Sequence, residues 1–257
     1  MRTAGSRLGH LLLAITIVAL LGTGCAHQPG GRNVEPERLL NAIAIDDVGY
    51  VKSLVDGGAL TPDSLVPAPG YPDGTPLLTI AARDGALQTV KLLLAAGADP
   101  DASTPIGETA LMLATFFPND EHDVRQHERH EAIVRALLDA GAQVDNHPHY
   151  YTPLSYAAYR NRQRIMRFLL ARGASVDGYV AGGRTYVNTP LMMAAMQGHY
   201  DAAVSLLRAG ADPTVRVHQG HTAAELAAKY NHRELALLLQ CVQQQKLTLR
   251  RASEHSC

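Results

Sequence analysis

Three cysteines in 257 residues (Cys25, Cys241 and Cys257) are too few for a disulfide framework. Charge of neither sign dominates. The formal net charge is −1, and setting aside Arg2 and Arg7 of the leading segment shifts it by two, to −3. Such a weak bias argues against nucleic acid, which calls for a clustered basic face. No apolar stretch after residue 25 could span a bilayer. Catalytic signatures are equally scarce. There is no Walker loop and no dinucleotide-binding fingerprint. Gly173-Ala174-Ser175-Val176-Asp177 lacks the second glycine of a nucleophile elbow.

What is present is repetition. Asn188 to Asp212 reads NTPLMMAAMQGHYDAAVSLLRAGAD: a Thr-Pro turn, two short helical patterns and a Gly-Ala-Asp stop. The same order returns from Pro76, from Thr152 and from Thr222. Taking the residue two before the first-helix leucine or its equivalent as origin, the units start at Pro76, Thr109, Thr152, Thr189 and Thr222, in steps of 33, 43, 37 and 33. The hydroxyl of each threonine is suited to cap free N–H groups, and proline fits a first turn, where no donor is needed. Small pairs such as Ala81-Ala82, Ala157-Ala158, Ala194-Ala195 and Ala227-Ala228 let helices approach closely. Runs such as Leu92 to Leu94 and Leu237 to Leu239 are apolar enough to be buried between units. Gly97, Gly141, Gly173 and Gly210 fit a left-handed stop.

A 33-residue unit with T-P-L, an alanine pair and a leucine-rich second helix ending in G-A-D resembles the ankyrin repeat. The resemblance covers roughly Glu37 to Gln243. It implies an all-α repeat fold, a solenoid of about six stacked helix-turn-helix units with hairpin turns, occupying residues 37–245. One unit cannot bury its own apolar face, so stability comes from stacking. The segment from Glu37, with Asn41 where leucine is usual, reads as an irregular capping repeat. Thr61 to Gly74 reads as a proline-rich link. Residues 246–257 read as a C-terminal tail, with the closing RRASEHSC disordered.

Residues 1–24 carry a positive start and an apolar stretch from Leu11 to Leu21, ending Leu21-Gly22-Thr23-Gly24-Cys25. This resembles the lipobox of bacterial lipoproteins, which implies cleavage before Cys25 and lipidation of its thiol. It departs from that pattern, since Gly22 holds the place usually given to leucine. An ordinary secretory signal or an uncleaved anchor are the other readings. By the same resemblance Ala26 implies sorting to the outer membrane, with the body in the periplasm. Residues 25–36, rich in Gly and Pro, read as a flexible tether. Cys241 and Cys257 could pair in an oxidising compartment or remain idle thiols.

Departures from the repeat are where function is sought. The third unit carries eleven extra residues between its helices, within FFPNDEHDVRQHERHE, and the fourth carries four extra in a lengthened finger, GYVAGGRTYVN. Such insertions map to loops, often on a binding face. After the alanine pair or its equivalent stand Arg83, Phe116, Tyr159, Met196 and Lys229. In ankyrin repeats generally this place is more often polar, because it looks toward the concave groove. Phe116, Tyr159 and Met196 are therefore read as an exposed apolar stripe for a partner, flanked by Tyr150, Tyr186 and His218. The 116–131 insertion either extends the groove or folds over it.

Twelve histidines invite a metal-dependent hydrolase reading centred on His122, His127, His130, His147 and His149. The spacing His127-Glu128-Arg129-His130 is wrong for a zinc-protease helix, so no metal, cofactor or catalytic residue is assigned. The expected function is a lipid-tethered module that binds one protein partner and not nucleic acid. Resemblance to small bacterial ankyrin lipoproteins implies two roles: an immunity protein against a secreted toxin such as a phospholipase, or an accessory protein supporting a periplasmic enzyme such as a catalase.

Overall fold

The computed structural model describes residues 34–69, 71–117, 123–145, 151–180, 183–185, 187–217 and 220–254. Residues 1–33, which include Cys25 and the expected signal segment, lie outside them. The tether expected over residues 25–36 is cut short, since Val34 packs against the core and Pro36 begins the first helix. Among the described residues twelve helices follow in six pairs. Helix α1 is Pro36–Ala44 and α2 is Val48–Asp56; α3 is Leu77–Asp84 and α4 is Leu87–Ala95. Next come α5 (Ala110–Phe116) with α6 (Val124–Asp139), and α7 (Pro153–Tyr159) with α8 (Gln163–Ala171). Helices α9 (Pro190–Gln197) and α10 (Tyr200–Arg208), then α11 (Ala223–Lys229) and α12 (Arg233–Glu254), complete the series. First helices pack side by side in chain order from α1 to α11. Behind them the second helices α2, α4, α6 and α8 pack in the same order. This is the ankyrin-type solenoid.

The helix starts follow from the threonines. Thr109, Thr152, Thr189 and Thr222 accept the backbone N–H three residues on. Glu225 returns the bond to the Thr222 N–H at 2.8 Å, closing a capping box. Such a cap stabilises by about 1 kcal/mol. The stop glycines Gly97, Gly141, Gly173 and Gly210 all adopt the left-handed conformation. Four residues before each stands a leucine with no exposure at all: Leu93, Leu137, Leu169 and Leu206. Burying one such side chain contributes about 1.5–3 kcal/mol. The leucine runs are not uniformly buried, however. In the last one Leu239 is core, while Leu237 is exposed, because only one face of α12 meets α11.

Two polar ladders tie consecutive repeats. In the first, an aspartate of one repeat accepts a backbone N–H from the next: Asp63 from Asp99, Asp101 from Gln143, Asp145 from Ser175 and Asp177 from Asp212, at 2.8–2.9 Å. Burial pushes the carboxyls of Asp145 and Asp177 up, and the amides they accept from pull them back. In the second, a histidine ring meets a carbonyl of the preceding repeat. His130 Nε2 lies 3.0 Å from the Arg83 carbonyl, His199 Nε2 2.9 Å from that of Tyr159, and His232 Nε2 3.0 Å from that of Met196. The His232 ring sits so close over Gly198 that a Cβ there would come within 2.3 Å of it. Gly198 also has φ +72°, so both the backbone and the ring require glycine.

Three sequence expectations change. Part of the proline-rich link is a hairpin: β1 (Leu65–Ala68) pairs antiparallel with β2 (Tyr71–Pro76) around an irregularity between Val66 and Ala68. An isolated two-stranded ribbon has edges only, so its prolines break no central ladder. Much of the third-repeat insertion is helix, because α6 begins at Val124, capped by Asp123, six residues before His130. Finally, the disordered close expected from Arg250 is helical through Glu254, since α12 is unbroken. Lys246 on that helix reaches back to Asp212 at 2.8 Å. The lengthened fourth finger also finds a partner: β3 (Arg184–Thr185) runs parallel to β4 (Arg216–Val217) of the next finger.

Candidate partner-binding groove

Helices α5, α7 and α9 carry Phe116, Tyr159 and Met196 in consecutive repeats, and all three side chains are half-buried. The Phe116 and Tyr159 rings stack with centroids 6.1 Å apart and an interplanar angle of 19°. Met196 stands at the same place in the next repeat, where its sulfur accepts the Asn188 side-chain amide at 3.3 Å. Tyr150, Tyr186 and His218, expected to flank the stripe, lie outside the described residues.

Around the first two members the structure adds rings that the stripe did not include. Phe117 meets Phe116 edge-on at 5.1 Å, Tyr156 does the same at 5.4 Å, and Tyr151 meets Tyr156 at 5.9 Å. The helical period explains Tyr156: it lies one turn before Tyr159 on α7, on the same face. That spacing was a signal available in the sequence. Pairs of this kind contribute about 0.5–1.5 kcal/mol beyond their burial, so the cluster holds itself in place.

Beside the rings opens a cavity of about 510 Å³. Pro69 of the first hairpin, Ile106 of the next finger, Arg83 and Leu113 line it together with Phe116, Phe117 and Tyr156. Ile106 is 55% exposed, an apolar side chain held at the rim. Polar features are few and defined. The Arg160 guanidinium lies 5.5 Å over the Phe116 ring, and Glu108 lines the cavity. Burial pushes the Tyr156 phenol up to about 12, with the charges of Glu108 and Tyr151 adding to it. Tyr156 therefore keeps its O–H at neutral pH and can donate to an incoming acceptor. The arrangement can bind an apolar or aromatic side chain.

The histidines of the insertion divide. His130 is 1% exposed, and its Nδ1 also lies 2.8 Å from the Gln126 carbonyl. Burial lowers its pKa against the pull of the two carbonyls, which favours the neutral ring; a neutral ring has one N–H and donates to only one of the two. His127 faces a different cavity, at the turn between α7 and α8. His122, His147 and His149 lie outside the described residues, among which no three His, Cys, Asp or Glu side chains gather as metal ligands. Cys241 is a free, exposed thiol; Cys257 lies outside the described residues. No helix of the described residues is long and apolar enough to cross a membrane.

Comparison with known proteins agrees with this architecture. The family model for ankyrin repeats (3 copies) matches residues 78–180, and that for a single ankyrin repeat matches residues 188–217. A putative palmitoyltransferase ZDHHC13 of Danio rerio is 32% identical over 227 residues, 86% of this chain and 31% of its own length. The palmitoyltransferase Hip14 of Drosophila melanogaster is 44% identical over 91 residues, 35% of this chain and 14% of its own. A putative ankyrin repeat-containing protein of Treponema pallidum is 40% identical over 108 residues, 42% of this chain and 35% of its own. The chain thus spans at most about a third of these relatives. With repeats, caps, stops and family models in agreement, the chain belongs to the ankyrin-repeat family, whose repeats are protein–protein interaction modules.

Proposed function

We propose that this chain is a lipid-anchored periplasmic binding module that holds one protein partner against the aromatic groove of its third and fourth repeats. The observation that carries the reading is the cluster of Phe116, Phe117, Tyr156 and Tyr159 beside a cavity rimmed by exposed Ile106. Aromatic side chains held by their neighbours make good anchors, because little rotamer freedom is left to lose when a partner binds. Met196, one repeat on, extends the apolar surface.

Residues 1–25 support the location. The charged start, the short apolar stretch and Cys25 suit cleavage and lipidation, and the residues between Cys25 and α1 then tether the repeats to the outer membrane. A membrane tether concentrates an inhibitor where an envelope-directed toxin acts, which favours an immunity protein against a secreted toxin such as a phospholipase.

The test has two parts. Mass spectrometry of the purified lipoprotein reads whether Cys25 is the acylated N-terminus. Capture from gently solubilised envelopes, with and without added toxin, then compares wild type with a Phe116→Ala/Tyr156→Ala variant whose helix content is verified by circular dichroism. A single protein retained by wild type and lost by the folded variant supports the groove. Its identity separates inhibition of a toxin from support of an enzyme such as a catalase. Equal retention by both overturns the groove reading, and an unmodified Cys25 overturns the anchor.

A further inference from the structure

Cations of the second helices fall into one row. Lys52, Lys91, Arg135 and Arg167 each stand two residues before the buried leucine of their helix: Leu54, Leu93, Leu137 and Leu169. The helices that carry them, α2, α4, α6 and α8, pack side by side in that order. One position on four neighbouring helices makes a row, and at about 8–10 Å between axes it runs roughly 30 Å. All four side chains are exposed. In the next two repeats the position holds Val204 and Leu237, so the row ends at the fourth repeat.

Two members of the row keep their charge unopposed. Lys52 pairs with Asp56 one turn on, and Arg135 with Glu131 one turn back. At those two places Lys91 has Ala95 and Leu87, and Arg167 has Ala171 and Gln163. Neither Lys91 nor Arg167 has a carboxylate partner among the described residues. Helices α4 and α8 contain no acidic residue. Two further arginines of the fourth repeat stand near Arg167. Arg164, 71% exposed, lies 3.7 Å from Glu131, and Arg172 pairs with Asp139. Arg135 and Arg172 both lie over the Phe168 ring, at 4.9 and 4.6 Å, which holds them on this face. The other carboxylates on α2, α4, α6, α8 and α10 are Glu128 and Asp201, each with an arginine on its own helix, Arg129 and Arg208. Asp120 and Glu121, outside the described residues, precede α6, whereas Arg135 stands about 16 Å along that helix from Val124.

We propose that this row docks on an anionic lipid surface and lays the layer of second helices against the membrane. The proposal rests on the lipid-anchored reading. From Cys25 to Val34 the chain extends at most about 32 Å, which keeps the repeats within reach of the bilayer. Cations displayed one per repeat on side-by-side helices meet a plane of headgroups together, and headgroups impose no fixed spacing. Each basic side chain near such a surface strengthens binding about fivefold. The first helices pack behind the second, so Phe116 and Tyr159 then face away from the membrane, open to a partner.

The full chain is mixed with vesicles of phosphatidylcholine alone and with vesicles that also contain phosphatidylglycerol, and the bound fraction is read by co-flotation. An acetylated tetra-aspartate peptide is titrated in parallel. Residues 1–25 are the same in every protein compared, so a difference between variants reports the repeats. Lys91→Glu/Arg167→Glu reverses the two unopposed cations. Arg38→Glu/Lys229→Glu makes the same change in net charge on the first helices. All four side chains are exposed, and circular dichroism checks each fold. Wild type prefers the anionic vesicles, less so as salt rises. The row variant loses that preference about tenfold or more, and the control variant keeps it to within about twofold. An equal preference in wild type and the row variant overturns the proposal. So does an equal loss in both variants, which assigns the effect to net charge. Binding of the peptide without any vesicle preference also overturns it and assigns the row to an acidic protein. Mass spectrometry of Cys25 reads the anchor separately, so failure of the anchored reading and failure of the row are told apart.

Discussion

The fifth repeat and the fourth share one skeleton and differ in what they display on it. In the fifth, Met196 follows the alanine pair, Gly198 takes the left-handed position, His199 joins the ladder and the α9–α10 turn is minimal. In the fourth, the same places hold Tyr159, Asn161 and Arg162, and the preceding repeat delivers an α6 of 16 residues where α8 and α10 have 9. The fifth repeat spends its side chains on its neighbours. The fourth turns the Tyr156 ring toward one cavity, beside Phe116 and Phe117 of the third, and the side chains of Arg160, Arg162 and Arg164 toward another. Repeats that keep the pattern hold the stack together; under the proposed function, those that depart from it carry recognition.

That contrast can be broken on the framework side first. Leu206→Ala removes a fully buried side chain from the fifth repeat. It is expected to cost about 3 kcal/mol in urea unfolding and to leave partner capture by the folded fraction unchanged. Gly198→Ala comes next, at about 2 kcal/mol, because it combines a strained φ with a clash against the His232 ring. The mirror experiment lies in the recognition region. Tyr156→Ala is expected to lose partner capture about tenfold or more, with a smaller loss of stability than Leu206→Ala, since Tyr156 is only half-buried. A Tyr156→Ala variant that is the less stable of the two would place the ring in the core and merge the two regions.

Two smaller effects follow from titration. The folded-state pKa of His130 is lowered, so the fold favours the neutral ring. Its contribution is present above the ordinary value of 6.5 and is lost as pH falls through the lower folded value. His130→Asn is therefore less stable than wild type at pH 7.5, and the gap narrows in acid. For Asp212, burial opposes ionisation, but Lys246 and Thr214 outweigh it and hold the carboxyl at about 2. That contribution is present above 3.8 and lost as pH falls toward 2. Lys246→Ala lowers the melting temperature slightly at neutral pH, and the difference closes toward pH 2.

Period made the architecture readable from the chain. Thr-Pro starts, alanine pairs and Gly-Ala-Asp stops each encode a local physical requirement, and each returns in register. The insertion was harder to read. Eleven extra residues can be counted, but whether Val124 to Arg129 continue a helix depends on the Asp123 cap and on packing against neighbouring repeats. Tyr156 and Phe117 escaped the stripe because alignment compares one position across repeats, whereas a groove is built from neighbours on one helix face as well. That Arg162 stands where the ladder otherwise has a histidine emerges only once His130, His199 and His232 are seen to bond the preceding repeat. Ladders of that kind join residues 36 to 47 positions apart, beyond any local pattern.

The central claim is tested most directly by placing a photo-crosslinking amino acid at Ile106, on the rim of the aromatic cavity, and in a second protein at Leu237, exposed on α12. Both proteins are irradiated in cells carrying the partner. A single crosslinked protein from Ile106 and none from Leu237 is the predicted result. Equal crosslinking from both positions, or a product from Leu237 alone, contradicts it.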